Sequence, residues 1–166
     1  MQNRDTIMVE SIELAIANDC LKINPRLNEL TEVRESKISG LGLFAKTFIP
    51  KGTAWFECEP HQVLMISKYQ YQALCQSHDS PLSKGFIDAI KTYTYYEAKF
   101  DALIFCVDNA RFVNHSFTPN SGADGPRSSL KSVALRDIYP GEEITENYLS
   151  YDQCPWADSC EDFLKP

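Results

Sequence analysis

Two stretches concentrate the side chains that could do chemistry: 111–120, RFVNHSFTPN, and 141–148, GEEITENY. In the first, a cation, an aromatic and a β-branched residue are followed by Asn114, His115 and Ser116 in succession. No period of 3.6 or 2.0 hides these polar groups, so the stretch is neither an ordinary helix nor an ordinary strand. It lies just beyond an apolar run at 103–107. Buried polar groups persist only when hydrogen-bonded, so the cluster is either a satisfied knot in the core or a ligand site. His115–Ser116 also raises nucleophilic hydrolysis. Neighbours on extended backbone point to opposite faces, however, and no G-x-S-x-G elbow precedes them.

A third constellation is GLGLFA at 40–45, where Gly40, Gly42 and Ala45 fit the G-x-G-x-x-A dinucleotide fingerprint and Glu59 stands near the place of a ribose-binding acid. That fingerprint must open a helix. Here Thr47, Phe48 and Ile49 continue β-like to Pro50, so the dinucleotide reading, and a nucleotide-dependent oxidoreductase with it, fails on context. The glycines instead relieve a β-bend or admit a ligand close to the backbone.

Taken together, GLGLFA, KGTAWFE at 51–57, RFVNHS with its following PN, and A-x-RDI-x-PGEEIT-x-x-Y ending at Tyr148 resemble, in order, the motifs of SET-domain protein-lysine methyltransferases. The resemblance spans roughly residues 30–152, and the compact chain is similar to stand-alone bacterial or viral members. It implies a mainly β, SET-type fold of several small curved sheets, with 143–148 threaded past 114–116 in a C-terminal pseudoknot. It implies S-adenosylmethionine as cofactor, held by Gly40, Leu41, Gly42, Asn114, His115 and Arg111. Arg111 has an alternative, an ion pair with Asp108, Glu142 or Glu143, and His115 could bond only to main chain. Tyr148 matches the catalytic tyrosine, and Tyr95, Glu146, Tyr151 and Trp156 are the candidates for the substrate channel. For Tyr93, Tyr95, Tyr96 and Phe100 plain aromatic packing is the alternative.

The chain also departs from the family pattern. Phe117 stands where many members carry a cysteine after NHS, and Glu146 stands where they often carry Phe or Tyr. The C-x-C-x4-C zinc cluster is missing; Cys154 and Cys160 alone cannot furnish four ligands, so no metal is expected. Tyr151, Trp156 and Phe163 are then the aromatics available to close a lysine channel by packing. A SET-like interaction module without catalysis is the other functional reading; retention of Tyr148 and Asn114 speaks against it.

The remaining bounds agree with a globular enzyme. A chain of 166 residues, 43% hydrophobic and without low-complexity tracts, forms one domain with a real core. A net charge of -7 argues against nucleic acid and suits a basic, lysine-bearing protein substrate, although acidity for solubility reads the same way. Six scattered cysteines fit reduced thiols, and no signal peptide or membrane span is evident, so a cytoplasmic monomer or homodimer is expected, with delivery to a host cell compatible.

The pattern divides the chain into an N-terminal helical flank at 1–30, a SET domain at 31–152 with a variable insert at about 60–100, and a C-terminal flank at 153–166. An amphipathic helix is expected at 5–18, ending before Asn24–Pro25. Strands are expected at 31–36, 40–47, 53–57, 102–107, 132–135 and 143–145, with turns at Pro50–Gly52 and Tyr139–Gly141. Ser67 caps a helix reaching Gln76, 77–85 is a loop, and a second helix runs from Phe86 to Tyr93.

Overall fold

Asn24–Pro25 starts a helix. The computed structural model describes residues 24–76, 81–124 and 130–156, and the expected helix at 5–18 lies outside them, as do Cys20, Cys160 and Phe163. Asn24 caps α1 (Pro25–Leu30) by accepting from the Leu27 amide at 3.2 Å, with Pro25 in the first turn, where the missing N–H is not needed. This helix was not expected from the sequence. Leu27 is driven fully into the core.

Among the described residues, 24–58 and 108–147 pack into one unit, and 59–107 with 148–156 into a second. In the first unit β1 (Thr31–Glu35) and β2 (Leu41–Ala45), both expected as strands, form an antiparallel pair. They extend into a four-stranded sheet, β1-β2-β10-β7, with β10 (Glu143–Glu146) antiparallel to β2 and parallel to β7 (Asn114–His115). Val33, Leu43 and Ile144 stand opposite one another across three strands and are all buried, so one apolar row fixes the register.

A second sheet has the order β3 (Ala54–Glu57), β9 (Lys131–Ala134), β8 (Ser121–Ala123). A register shift between Ala54 and Phe56 lets the consecutive residues Trp55 and Phe56 both be buried, which strict alternation would forbid. The two expected turns are present. Thr53 N–H bonds the Pro50 carbonyl at 3.0 Å, Glu142 N–H bonds the Tyr139 carbonyl at 3.0 Å, and Gly52 and Gly141 take φ of +81° and +87°.

The second unit is built on one small sheet. Its sheet, β4 (Val63–Ser67), β6 (Ala102–Cys106), β5 (Thr94–Glu97), is antiparallel throughout. Ile66, Leu103 and Tyr96 stand in one cross-strand row and pack with Tyr71 of α2 (Lys68–Gln76) and Ile90 of α3 (Pro81–Tyr93). Ser67 caps α2 reciprocally: its Oγ accepts from Gln70 N–H at 3.3 Å while Gln70 Oε1 accepts from Ser67 N–H at 2.9 Å. The loop expected at 77–85 is a helix from Pro81 onward, because proline is well placed in a first turn and the interior Gly85 is carried by the amphipathic run behind it.

The fold is thus mainly β, three small sheets with three short helices among the described residues. What positions the site is the edge of β10. Ser116 N–H bonds the Glu146 carbonyl at 3.0 Å; Asn120 donates Nδ2–H to the Glu143 carbonyl at 2.8 Å and accepts from Thr145 N–H through Oδ1 at 2.9 Å. Asn120, buried, thereby bonds β10 as a neighbouring strand would, and the two motifs lie side by side as a pseudoknot requires. Asn120→Ala leaves a part-buried carbonyl and a buried amide without these partners and is expected to destabilise the protein by about 2 kcal/mol in urea denaturation. A change below about 1 kcal/mol would contradict this role.

Candidate active site

The segment entering the first motif is shaped by Asp108. Its carboxylate caps the short 3-10 turn Asn109–Phe112 by accepting from Ala110 N–H at 3.0 Å. Burial pushes that carboxyl above the usual carboxylate range, against the opposing pull of the Ala110 bond and the Arg111 charge. Arg111 donates Nη1–H to the main-chain carbonyl of Asp108 at 2.7 Å and lays its guanidinium 4.4 Å from the Phe112 ring centre. Of the acids proposed to pair with it, Glu142 instead meets Arg136 at 2.7 Å and Glu143 meets Ser36 and Asn114.

Asn114 follows, buried on β7. Its Nδ2 faces three acceptors: the carbonyls of Ser39 at 3.2 Å and Leu41 at 3.1 Å, and Glu143 Oε1 at 2.8 Å. An amide nitrogen has only two hydrogens, so three acceptors on one side fix which end of the amide points there. No described residue donates to its Oδ1, which is left as an acceptor. Next along, His115 sets its ring edge-on to the exposed Phe117 at 4.6 Å.

The GLG stretch is the other wall of this cluster. Gly40 has φ +43°, a conformation few side-chain-bearing residues adopt. Gly42 is required for a different reason: a Cβ there would lie 2.3 Å from Glu143 Oε1. The space above Gly42 is filled by a protein carboxylate, whereas a Cβ on Gly40 would meet nothing within 4 Å. Of the expected cofactor contacts, then, Gly40, Leu41 and Asn114 converge in one unit.

Glu146, proposed for the substrate channel, is buried at the end of β10. Its Oε1 accepts from Ser121 Oγ–H at 2.7 Å, and Ser121 Oγ accepts from Trp55 Nε1–H at 2.7 Å. This relay satisfies three buried polar groups at once.

In the second unit Tyr148 opens the 3-10 turn Tyr148–Ser150, immediately after Asn147 in the chain. Its ring stacks on Tyr151 at 5.7 Å and 23°, and Tyr151 meets Tyr95 at 5.4 Å. Tyr95, Tyr148 and Tyr151 are therefore brought together. Trp156 packs elsewhere, against Tyr71 at 6.0 Å and Tyr96 at 5.9 Å, and Tyr96 leaves β5 on the face opposite Tyr95. Asp152 bridges to Tyr96 and accepts from Ala98 N–H at 3.0 Å. Among the described residues no group of three or more His, Cys, Asp or Glu could hold a metal.

A model of the SET domain matches residues 40–149. The chain belongs to the SET family. SET-domain proteins are in general protein-lysine methyltransferases. A solved structure shares the fold: the humanized mutant of the Chaetomium thermophilum Polycomb Repressive Complex 2 bound to the inhibitor GSK343 aligns with a TM-score of 0.50 at 18% identity, over 74% of this chain and 15% of that one. The same complex bound to GSK126 gives 0.49 at 18% identity over 74% and 15%. A structure of ctPRC2 with H3K27me3 and H3K27M gives 0.49 at 21% over 70% and 14%. This SET chain spans about 15% of the length of the solved chains it matches. No curated protein matches its sequence.

The groups that sequence reasoning missed are Ser36, Ser121 and Asp101, and Glu143, named there only as a partner for Arg111, instead meets Ser36 and Asn114. A glycine in the middle of an otherwise side-chain-bearing strand, as at Gly42, is the signal that something approaches closely there. Asp101 has φ +46° in the β5–β6 turn, and its Oδ1 accepts from Tyr96 O–H at 2.7 Å and Trp156 Nε1–H at 2.8 Å. The Trp156 bond, then the Tyr96 bond, hold its carboxyl below the usual range, and the Tyr96 hydroxyl is pushed up to about 12, first by that bond and then by burial. A carboxyl with a depressed folded value stabilises above its unfolded pKa of about 3.9 and loses that effect as pH falls through the lower folded value. Trp156 emission is therefore expected to stay constant down to pH of about 4 and change only below it, with Asp101→Asn showing the acid-form spectrum at all pH values. A transition centred near neutrality would contradict the clamp.

Proposed function

We propose that the chain is an S-adenosylmethionine-dependent protein-lysine N-methyltransferase. The observation that carries this reading is Asn114, in a SET motif, with its amide nitrogen fully engaged by protein acceptors and its oxygen left to accept from a ligand. The strongest donor that S-adenosylmethionine could offer such an oxygen is its ammonium group. Main chain at Gly40, Leu41 and His115 would hold the remainder, while Arg111 supports the segment through the Asp108 carbonyl and Gly42 makes room for Glu143. When bound, the cofactor supplies an electrophilic methyl group on a sulfonium.

The chain's own task is to present a neutral amine. A lysine with a reference pKa of about 10.4 must lose its proton, and burial in an apolar channel can lower that value by up to roughly 3 to 5 units, the proton leaving to water. No dedicated base is needed. The motif match gives the Tyr148 hydroxyl the role of orienting the amine, and the stack of its ring on Tyr151 restricts where that hydroxyl can go. Tyr95 and Tyr151 supply apolar wall, and a basic, lysine-bearing protein suits a chain of net charge -7.

Calorimetric titration with S-adenosylmethionine, its demethylated product and NADH tests the reading. The sulfonium compound and its product are expected to bind and NADH is not. Asn114→Ala is expected to weaken binding about tenfold, the worth of one hydrogen bond to a charged group. Binding of NADH alone, or unchanged affinity in Asn114→Ala, would contradict the assignment.

A further inference from the structure

Glu143 lies where the β1–β2 turn and the NHS segment of the first unit meet. Its carboxylate accepts Asn114 Nδ2–H at 2.8 Å through Oε1, the shortest of that amide's three contacts and the only charged one. The same carboxylate accepts Ser36 Oγ–H, with 2.7 Å to Oε1 and 2.9 Å to Oε2. Ser36 Oγ in turn accepts from Ile38 N–H at 2.9 Å and Ser39 N–H at 3.4 Å, so the hydroxyl shapes the β1–β2 turn in which Gly40 takes its positive φ. The main chain of Glu143 is also held, its carbonyl accepting from Asn120 at 2.8 Å, and its carboxylate fills the space where a Gly42 Cβ would be. Neither the backbone nor the side chain has an easy alternative position.

The amide of Asn114 can present either of its two ends by a half-turn of the side chain. A carboxylate has no hydrogen to donate, so Glu143 accepts only the nitrogen end, and a charge-assisted bond is roughly twice as strong as a neutral one. We infer that Glu143 is a positioning residue for ligand binding: its carboxylate holds the Asn114 nitrogen inward and the turn at 36–41 against it, leaving Asn114 Oδ1 as the acceptor for a cationic donor. The inference rests on the reading of this cluster as the S-adenosylmethionine site. Glutamine at 143 keeps the volume but can offer N–H as well as C=O, which removes the charge and the one-way choice together.

The test is a double-mutant cycle on affinity for S-adenosylhomocysteine, which carries the same ammonium group. Wild type, Glu143→Gln, Asn114→Ala and the double variant are titrated by calorimetry, with circular dichroism to establish that each is folded. Glu143→Gln is expected to weaken binding about tenfold in the wild-type background and less than about twofold in the Asn114→Ala background, because it acts through Asn114. Ser36→Ala, which releases the other side of the same carboxylate without touching Asn114, is expected to weaken binding roughly threefold with the same dependence on Asn114, and it decides the matter should Glu143→Gln fail to fold. Equal losses in both backgrounds, or no loss from Glu143→Gln, would overturn the inference while wild-type binding upheld the site. Failure of the wild-type chain to bind would overturn the site reading and this inference with it.

Discussion

The carboxylate of Glu143 is the interaction on which the first unit depends. Left with its charge unmatched at the start of β10 it would oppose folding, since desolvating an ion without partners costs several kcal/mol. Among the described residues it is matched by neutral donors, the Ser36 hydroxyl and the Asn114 amide. Those partners come from the β1–β2 turn and from the NHS segment, separated in sequence by much of the chain. Only a glycine at 42 lets the carboxylate lie flat against β2. Three motifs that look independent along the sequence are therefore one packed object, and the freedom of any of them is limited by the other two.

Around this object the polar groups of β10 are satisfied in both directions. Asn120 bonds its backbone and Ser121 its terminal carboxylate at Glu146, with Trp55 closing the chain of donors. Such a network favours one arrangement, because each member left unpaired in the core would cost about 1 to 3 kcal/mol. The second unit works by a different means. There the residues after Tyr148 are held by ring packing and by Asp101 and Asp152, which fasten Trp156 and the main chain to the β5–β6 turn.

Much of this was legible in the sequence where a strand shows alternation or a turn carries glycine. That is why β1, β2, β9 and β10 fall close to where their residues place them. Strand β5 was hidden because Thr94–Glu97 is aromatic on both faces, and a run of tyrosines suggests a channel lining as readily as a strand. Strand β8 is three residues long with no apolar alternation to reveal it. In the site, the ordered motifs pointed to Asn114 and Tyr148, but spacing could not say what Asn114 touches. Arg111 shows the limit most clearly: charge suggests an ion pair, and its charge does act on Asp108, but the guanidinium also reaches a main-chain carbonyl and an aromatic face. Partners of that kind carry no signature in composition.

The proposed activity, methyl transfer from S-adenosylmethionine to lysine, is best tested by following radiolabelled methyl into a panel of basic proteins, with wild type and Tyr148→Phe side by side. The account predicts label on lysine with wild type, and a loss of at least about a hundredfold in turnover with Tyr148→Phe at unchanged cofactor affinity, the scale of removing one positioned polar group from a reacting centre. Undiminished transfer by Tyr148→Phe would contradict the role given to that hydroxyl, and absence of transfer to any protein by a cofactor-binding wild type would contradict the claim itself.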